Sequence, residues 1–212
     1  VGTADDKTLE ADILLYALGR EPNYDNLNLA GAGLDADDNG WVRINEQHQT
    51  ARPHIYIIGD LAGRPSLAST AMEQGRLAAC HAFDQDHLQA AGVLPMAIYT
   101  IPELSYVGNT ERELQEQGTD YVVGRAHFSE TARGQIIGEA RGFMKVLAAR
   151  DTRALLGIHI IGESVSELIH VGQMAMNCQA PVDVLAGSVY NYPTLAECYK
   201  TAALDCVQQL AV

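Results

Sequence analysis

Two uninterrupted apolar runs mark the first third of the chain. The first lies within ADILLYALGR at residues 11–20, and the second is IYII at residues 55–58. Continuous runs rich in leucine and isoleucine are typical of strands buried on both faces, as in a parallel sheet with helices on either side. After the second run, Pro65 and Ser66 open a stretch of helical spacing that reaches His87. We therefore predict an α/β layer with two buried strands and a following helix.

The segment between these runs, residues 27–50, matches two binding motifs and one turn motif. The stretch 31–36 fits the dinucleotide-binding pattern G-x-G-x-x-A, but neither the strand before it nor the helix after it that phosphate binding requires is predicted. The stretch 35–46 satisfies the twelve-residue calcium-loop pattern, which also needs flanking helices. Asn39-Gly40 is a favoured type I′ turn, and residues 41–44 alternate like a half-exposed strand. The flanks favour the hairpin over either binding loop.

The pattern changes near residues 92–95, where we place a domain boundary. Downstream, short runs of strand-like composition are separated by turns or by one short helix; they span residues 97–100, 121–128, 143–149 and 155–161. Such spacing indicates an antiparallel sheet. Capping boxes predict three helix starts, at Thr110 with Glu113, Ser164 with Glu167, and Thr194 with Glu197. Residues 95–212 are therefore predicted to form an α+β domain with helices against one sheet.

Composition narrows the classes of partner. Hydrophobic residues make up 47% of the 212 residues and charged residues 19%, a balance that supports a folded core. The net charge of −13, without a lysine or arginine stripe, argues against nucleic acid and anionic membranes as partners. There is no apolar run long enough to cross a membrane and no signal-peptide pattern, so we expect a soluble, cytoplasmic protein.

The distribution of cysteine and histidine argues against metal and dithiol chemistry. The four cysteines form no C-x-x-C pair, and the seven histidines show no metal-ligand spacing. We therefore expect no metal site and predict buried free thiols in a reducing compartment at Cys80, Cys178, Cys198 and Cys206.

Asp60 is unusual because it places a carboxylate at the end of the second apolar run. In open α/β sheets, ligands lie beyond the carboxyl ends of strands, where the positive ends of the next helices face them. Asp60 falls at that position, just before the break at Gly63 and Pro65. The residues alone leave two interpretations open: a ligand contact, or the cap of a local turn.

The segments ILLYALGREPN, IYIIGD and NYPTLAE together resemble the flavin-dependent pyridine nucleotide-disulfide oxidoreductase family. The resemblance covers the whole chain and corresponds to the C-terminal half of such an enzyme. It implies that residues 1–20 are the last strand of an NAD(P)-binding domain, with Gly19 to Asn23 as the G-R-x-P-N stretch that closes it. Residues 21–94 would be the later part of an FAD-binding domain, and residues 95–212 a dimerisation domain.

The same resemblance implies a flavin site. In relatives, the aspartate of the G-D motif hydrogen-bonds the ribityl hydroxyls of FAD, which corresponds here to Asp60 with Gly59 before it. The start of the following helix, at Leu67 and Ala68, would direct backbone N–H groups and a positive dipole end at the N1/O2 edge of the flavin. Gly59, Asp60, Leu67 and Ala68 are thus the expected cofactor-binding residues.

The C-terminal signature distinguishes subclasses of the family. Its disulfide reductases carry H-x-x-x-x-E, in which a histidine base serves thiol chemistry. Tyr192 stands in place of that histidine, and Glu197 remains; tyrosine is a poor base at neutral pH. The variant is similar to that of soluble pyridine nucleotide transhydrogenases, which move hydride between NADPH and NAD through FAD. Tyr192 and Glu197 are therefore candidate flavin-pocket residues across a dimer, although the Thr194 capping box alone also explains Glu197.

Together these inferences predict the C-terminal part of an FAD-dependent NAD(P) transhydrogenase that acts on nicotinamide nucleotides as a homodimer. A lipoamide dehydrogenase-like reductase and a non-catalytic dimerisation module remain open as alternatives. The 212 residues contain no complete G-x-G-x-x-G strand and helix unit for the flavin pyrophosphate. We therefore expect these residues alone neither to hold FAD tightly nor to transfer hydride.

Overall fold

The computed structural model describes Thr8 and residues 10–63, 65–85 and 92–211, in two compact units, residues 1–88 and 89–212. The first unit contains 3-10 helices at Leu29–Ala32 and Gly59–Ala62 and the helix α1 at Ala68–Ala82. In the second unit the strands are β1 Met96–Ile98, β2 Glu103–Gly108, β3 Tyr121–His127, β4 Phe143–Ala149 and β5 Leu155–Gly162. Its helices are α2 Glu111–Glu116, α3 Ala132–Ile137, α4 Val165–Asn177, α5 Val182–Gly187 and α6 Glu197–Leu210, with a 3-10 helix at Phe128–Glu130.

The prediction of a buried strand at residues 11–20 is wrong for the part of the chain that the structure describes. The segment forms no strand there, and its large apolar side chains are 68% to 86% exposed: Ile13, Leu14, Leu15, Tyr16 and Leu18. The physical reason is that a strand exists only when a neighbouring strand takes up its backbone hydrogen bonds. No described residue forms a backbone hydrogen bond with this run. Its strand-like composition alone therefore does not produce a strand.

The second apolar run is also not a strand of a larger sheet. It makes a single antiparallel bridge between Tyr56 and Gln49, supported by the N–H of Ile57 donating to the carbonyl oxygen of His48 (3.0 Å). Only Ile57 is buried, with 8% of its surface exposed, whereas Ile58 is 39% exposed. The predicted helix does follow, as α1, although it begins at Ala68 and ends at Ala82 rather than reaching His87, which lies outside the described residues.

The preference for a hairpin over a calcium loop is confirmed, but its turn type is not. An antiparallel bridge joins Ala36 to Val42, and no helix follows among the described residues up to the 3-10 helix at Gly59–Ala62. Gly40 has a φ of 81° whereas Asn39 has no positive φ, so the type I′ turn is excluded because that turn needs both. Instead, the Gly40 N–H donates to the carbonyl oxygen of Asp37 (2.8 Å), and Asp37 Oδ1 accepts from the N–H groups of Asn39 and Trp41.

The second unit forms the predicted antiparallel sheet with helices. Its five strands lie in the order β1-β2-β5-β4-β3, and every neighbouring pair is antiparallel. The strand β2 was not predicted, because the run ELSYVG is short, follows Pro102 and itself ends in Gly108. Helices α4 and α6 cover one face of the sheet and bury a single apolar core, which includes Val107, Val146, Ile158, Ile160, Ile169, Tyr199 and Ala202.

Two of the predicted caps can be judged at α2 and α4. The Thr110 capping box is confirmed, with both reciprocal hydrogen bonds to Glu113 present. The Ser164 box is wrong, because Ser164 adopts a left-handed conformation (φ 58°) and its side chain makes no capping hydrogen bond. The α4 N-terminus is satisfied from elsewhere in the sequence: Glu103 at the start of β2 accepts the Ser166 N–H at 3.1 Å. A long-range acceptor of this kind leaves no local sequence pattern.

The edge strand β3 is closed by side chains of α6. Asp205 Oδ2 accepts the backbone N–H of Arg125 at 2.9 Å, and Gln209 Nε2 donates to the carbonyl oxygen of Val123 at 2.8 Å. These are outward-facing groups of an edge that would otherwise be open to another strand. Helix α6 comes this close because position 124 is a glycine, whose missing Cβ would lie 1.9 Å from the carbonyl oxygen of Ala202.

Tyr199 joins α6 to the backbone of α4, and its hydroxyl should contribute measurably to the free energy of unfolding. The fully buried phenol donates to the carbonyl oxygen of Leu168 (2.8 Å) and accepts from the Gly172 N–H (3.2 Å), while burial raises its pKa and keeps it protonated. We expect Tyr199→Phe to lower the free energy of unfolding by about 1 to 3 kcal/mol, because the Leu168 carbonyl and the Gly172 N–H would both lose this hydrogen-bond partner. Urea unfolding followed by circular dichroism tests this. Tyr121→Phe, at a more accessible tyrosine, should change it by less than about 0.5 kcal/mol.

His159 makes the stability of the second unit pH-dependent. Its Nε2 donates to the carbonyl oxygen of Asn109 (2.9 Å), and its ring stacks on Tyr106 with Lys145 opposite on β4. Burial lowers the pKa of His159 below its ordinary 6.5, and the charge of Lys145 acts in the same direction.

Because the unfolded chain then binds the proton more readily than the folded chain, stability should fall as pH decreases from above 6.5 toward the lower folded pKa. The free energy of unfolding measured at several pH values should show a shallower decline in His159→Gln than in the parent chain. His170→Gln, at an exposed histidine, should leave the decline of the free energy of unfolding with falling pH equal to that of the parent chain. Equal pH dependence in the His159→Gln variant and the parent would contradict the assignment.

Candidate functional site

The turn at Gly59 and Asp60 follows the second apolar run directly. Ile58 is extended, and the chain then enters a 3-10 helix at Gly59–Ala62. Gly59 has a φ of 67°, a conformation that favours glycine, and a Cβ at this position would lie 3.3 Å from the Cβ of Ala71 on α1. Both constraints explain why glycine precedes the aspartate. The carboxylate therefore stands at the end of the run, as predicted, although the run is not a strand.

The Asp60 carboxylate is half-exposed and is not used as a turn cap. Its hydrogen-bond partner within the described residues is a side chain, the Nη1 of Arg20 at 3.3 Å, and the two side chains are 49% and 75% exposed. Arg20 belongs to the G-R-x-P-N stretch, so the ends of the two apolar runs meet here. An exposed pair of this kind contributes little to stability, and a ligand can replace either partner at small cost.

The N-terminus of α1, in the same unit, offers backbone donors that make no helical hydrogen bond within the described residues. Leu67 is the N-cap residue, in an extended conformation without a side chain that can cap. The first intrahelical bond joins the Ala71 N–H to the carbonyl oxygen of Leu67 (2.9 Å), so the N–H groups of Ala68 and its next two neighbours have no helical acceptor. No acidic residue lies in the first turn. The helix end can therefore bind electron-rich or anionic groups.

Three side chains that sequence reasoning missed connect α1 to the Asp60 turn and to the run before it. Gln74 Oε1 accepts the Gly59 N–H at 2.7 Å, and His81 Nδ1 lies 2.8 Å from the hydroxyl of Tyr56. Gln74 and His81 are seven residues apart, which is two helical turns, so they share the face of α1 that carries Ala71. Their seven-residue spacing was the signal in the sequence that could have indicated these contacts. Polar residues at helical spacing are common on solvent-facing helix surfaces, so the signal was not specific.

Tyr192 and Glu197 lie in the second unit, before and at the start of α6. Tyr192 is 75% exposed and precedes a cis peptide bond to Pro193. The Thr194 capping box is only half present: Glu197 Oε2 accepts the Thr194 N–H at 3.3 Å, but the Thr194 hydroxyl donates to the carbonyl oxygen of Asn191 (2.6 Å). Helix α6 begins at Glu197 itself, where an acidic side chain also suits the helix dipole.

The thiols have no reactive arrangement in the part of the chain that the structure describes. Cys198 and Cys206 are buried, and burial raises the pKa of each to about 12, so neither is a thiolate at neutral pH. Burial of all four cysteines was predicted and is wrong for Cys178, which is exposed, and for Cys80, which is partly buried. Among the described residues, no three histidine, cysteine or acidic side chains cluster in a way that could hold a metal ion.

Among the described residues, no helix is both long and apolar enough to cross a membrane.

Family models match both units of the chain. Residues 94–203 match the dimerisation domain of the pyridine nucleotide-disulphide oxidoreductases, and residues 1–75 match the model described as pyridine nucleotide-disulphide oxidoreductase. Curated relatives include soluble pyridine nucleotide transhydrogenases from Mycobacterium tuberculosis, 44% identical over 98% of this chain, and from Erwinia tasmaniensis, 46% identical over 96%. The chain spans less than half the length of these relatives, 44% and 45%.

Solved structures agree on the fold. LpdA from Mycobacterium tuberculosis superposes with a TM-score of 0.85 at 25% identity, over 96% of this chain and 44% of that one. An HOCl-induced flavoprotein disulfide reductase from Escherichia coli superposes with a TM-score of 0.82 at 21% identity, over 89% of this chain and 44% of that one. With one family model covering more than half of its residues, the chain belongs to the pyridine nucleotide-disulphide oxidoreductase family.

Proposed function

We propose that the chain is the C-terminal portion of a soluble, FAD-dependent NAD(P) transhydrogenase that moves hydride between NADPH and NAD. The observation that carries the proposal is the half-exposed Asp60 carboxylate, held at the end of an apolar run with only a side-chain partner among the described residues. The names of the relatives at 44% to 46% identity support the choice of reaction. Residues 1–20 would close the NAD(P) domain, residues 21–94 would complete the FAD domain, and residues 95–212 would form the dimer.

The residues present suit a flavin with a polyhydroxyl side chain. In this proposal the Asp60 carboxylate accepts hydrogen bonds from the ribityl hydroxyls, for which a charged acceptor is well suited. The conformation of Gly59 sets the direction from which Asp60 leaves the turn. The N–H groups at the start of α1, from Ala68 onward, would hold the electron-rich edge of the ring, where the helix dipole would stabilise negative charge. When bound, FAD supplies the carrier that accepts hydride from one nicotinamide nucleotide and gives it to the other.

Tyr192 and Glu197 are proposed to line the flavin pocket of a partner subunit. The exposed Tyr192 ring offers an apolar surface with a hydroxyl at its tip, and the Glu197 carboxylate accepts the N–H of Thr194, two residues after Tyr192. Neither group is assigned a proton transfer, and hydride transfer between nucleotides needs no thiol relay. The four free cysteines suit a reducing compartment, which agrees with a cytoplasmic location.

The full-length gene product tests the proposal. We expect a bound flavin with its visible absorbance, and NADPH-dependent reduction of an NAD analogue that needs no thiol substrate. Oxidation of dihydrolipoamide at a higher rate would favour the lipoamide dehydrogenase-like alternative. A flavin-free protein that only self-associates would favour the dimerisation module and overturn the proposal. The isolated 212 residues are expected to bind FAD weakly, so tight stoichiometric binding by them would contradict our domain assignment.

Self-association through the second unit can be tested on the 212-residue chain. Its apolar side chains at Ile101, Val189 and Tyr192 are 103%, 94% and 75% exposed, and a second copy of the chain could cover them in the proposed dimer. We expect sedimentation to give twice the 22.9 kDa chain mass. Tyr192→Glu should shift the equilibrium toward monomer, because the dimer would have to bury the new negative charge. Gln117→Glu, at an exposed polar position, is the matched control and should remain dimeric. A monomeric parent chain would refute the homodimer.

A further inference from the structure

Gln74 holds the backbone of the residue directly before Asp60, the proposed flavin ligand. Its Oε1 accepts the Gly59 N–H at 2.7 Å, directly before Asp60, and both Gln74 and Gly59 are at least partly buried there. We propose that Gln74 is a positioning residue for Asp60, and this inference rests on the proposed function. Gln74 itself contacts no ligand in this proposal. It acts by fixing the backbone from which the carboxylate projects.

The left-handed conformation of Gly59 makes such a support necessary. Gly59 sits at φ 67°, and glycine reaches many other conformations at similar cost because it has no Cβ. The direction of the Asp60 side chain follows from the torsions of Gly59, so a free Gly59 would spread the carboxylate over many positions. One short hydrogen bond from a helix removes that freedom in advance of ligand binding, which lowers the entropic cost of binding.

The surface of α1 is shaped to bring Gln74 to this place. A Cβ on Gly59 would meet the Cβ of Ala71 at 3.3 Å, and a Cβ on Gly75 would meet Ile58 Cδ1 at 3.2 Å. Ala71 and Gly75 flank Gln74 on the helix, and their small size allows the second apolar run to approach α1 closely. His81, two turns further, holds the hydroxyl of Tyr56 at 2.8 Å and so anchors the start of the same run. Of these helix contacts, the one from Gln74 reaches the residue next to Asp60.

A double-mutant cycle on FAD affinity separates positioning from general support. In the full-length gene product, Gln74→Met keeps the side-chain length but removes the acceptor oxygen. We expect the FAD dissociation constant to rise three- to tenfold, about the effect of losing one neutral hydrogen bond. In an Asp60→Ala background the same change should have little further effect, because Gln74 works through Asp60. Gln74→Glu keeps an acceptor oxygen and should recover most of the affinity.

Amide exchange in the 212-residue chain provides a readout that needs no flavin. Gln74→Met should speed hydrogen exchange at Gly59 about threefold or more, whereas Gln85→Met, beyond the end of α1, should not. If Asp60→Ala weakens FAD binding but Gln74→Met does not, or if the two changes are additive, the positioning role is wrong and the flavin site stands. If exchange at Gly59 responds but Asp60→Ala leaves FAD affinity unchanged, the proposed function of Asp60 fails instead.

Discussion

Gly124→Ala is expected to destabilise the second unit by about 3 kcal/mol or more, one of the largest effects of any single methyl group in the described chain. The added Cβ would lie 1.9 Å from the carbonyl oxygen of Ala202 and 2.7 Å from the Sγ of Cys206. A backbone oxygen inside α6 cannot move alone, so the helix must shift away from β3. That shift would also lengthen the bonds from Asp205 and Gln209 that close the edge of β3.

Gly187→Ala is the matched control for this experiment. Gly187 is the last residue of α5, nothing lies within 4 Å of the position of its missing Cβ, and its φ is not positive. Alanine should be neutral there, or stabilising by up to about 1 kcal/mol through helix propensity. Urea unfolding of the two variants and the parent, followed by circular dichroism, gives the comparison. A Gly124→Ala chain within about 0.5 kcal/mol of the parent would show that α6 and β3 are not in close contact.

The predictable parts of the second unit are those whose hydrogen-bond partners lie close together in the chain. Strands β4 and β5 form a hairpin, and their strand-like composition with a turn between them indicated both strands and their antiparallel pairing. The Thr110 capping box is equally local. What failed there was non-local: Glu103 satisfies the α4 N-terminus in place of Ser164, 61 positions away, and no pattern around Ser164 reports it.

The first unit shows the limit of composition as a guide to strands. Residues 11–20 and 55–58 have the composition of buried parallel strands, yet neither becomes one among the described residues. Burial and pairing are properties of the surroundings rather than of the run itself. Asp60, in contrast, was placed correctly at the end of its run because that statement needs only the sequence. Its partner Arg20 and its support Gln74 lie 40 and 14 positions away and needed the structure.

Asp60→Ala is expected to weaken FAD binding by the full-length gene product about 10- to 100-fold. The estimate follows from hydrogen bonds to a charged acceptor, which contribute about 1.5 to 3 kcal/mol, with 1.4 kcal/mol for each factor of ten. The fold should not suffer, because the carboxylate is half-exposed and its ion pair with Arg20 is exposed as well. Flavin fluorescence on titration measures the affinity, and circular dichroism checks that the variant is folded.

Two further variants make the Asp60 result interpretable. Asp38→Ala removes an exposed carboxylate from the hairpin turn of the same unit and should leave FAD affinity unchanged, which excludes a general effect of net charge. Asp60→Asn keeps an acceptor oxygen without the charge, so it should fall between the parent and Asp60→Ala, because a charged acceptor roughly doubles the strength of a hydrogen bond. If a folded Asp60→Ala protein binds FAD as tightly as the parent, the carboxylate does not hold the cofactor. The exposed acid at the end of the apolar run would then need another explanation, beginning with its pair to Arg20.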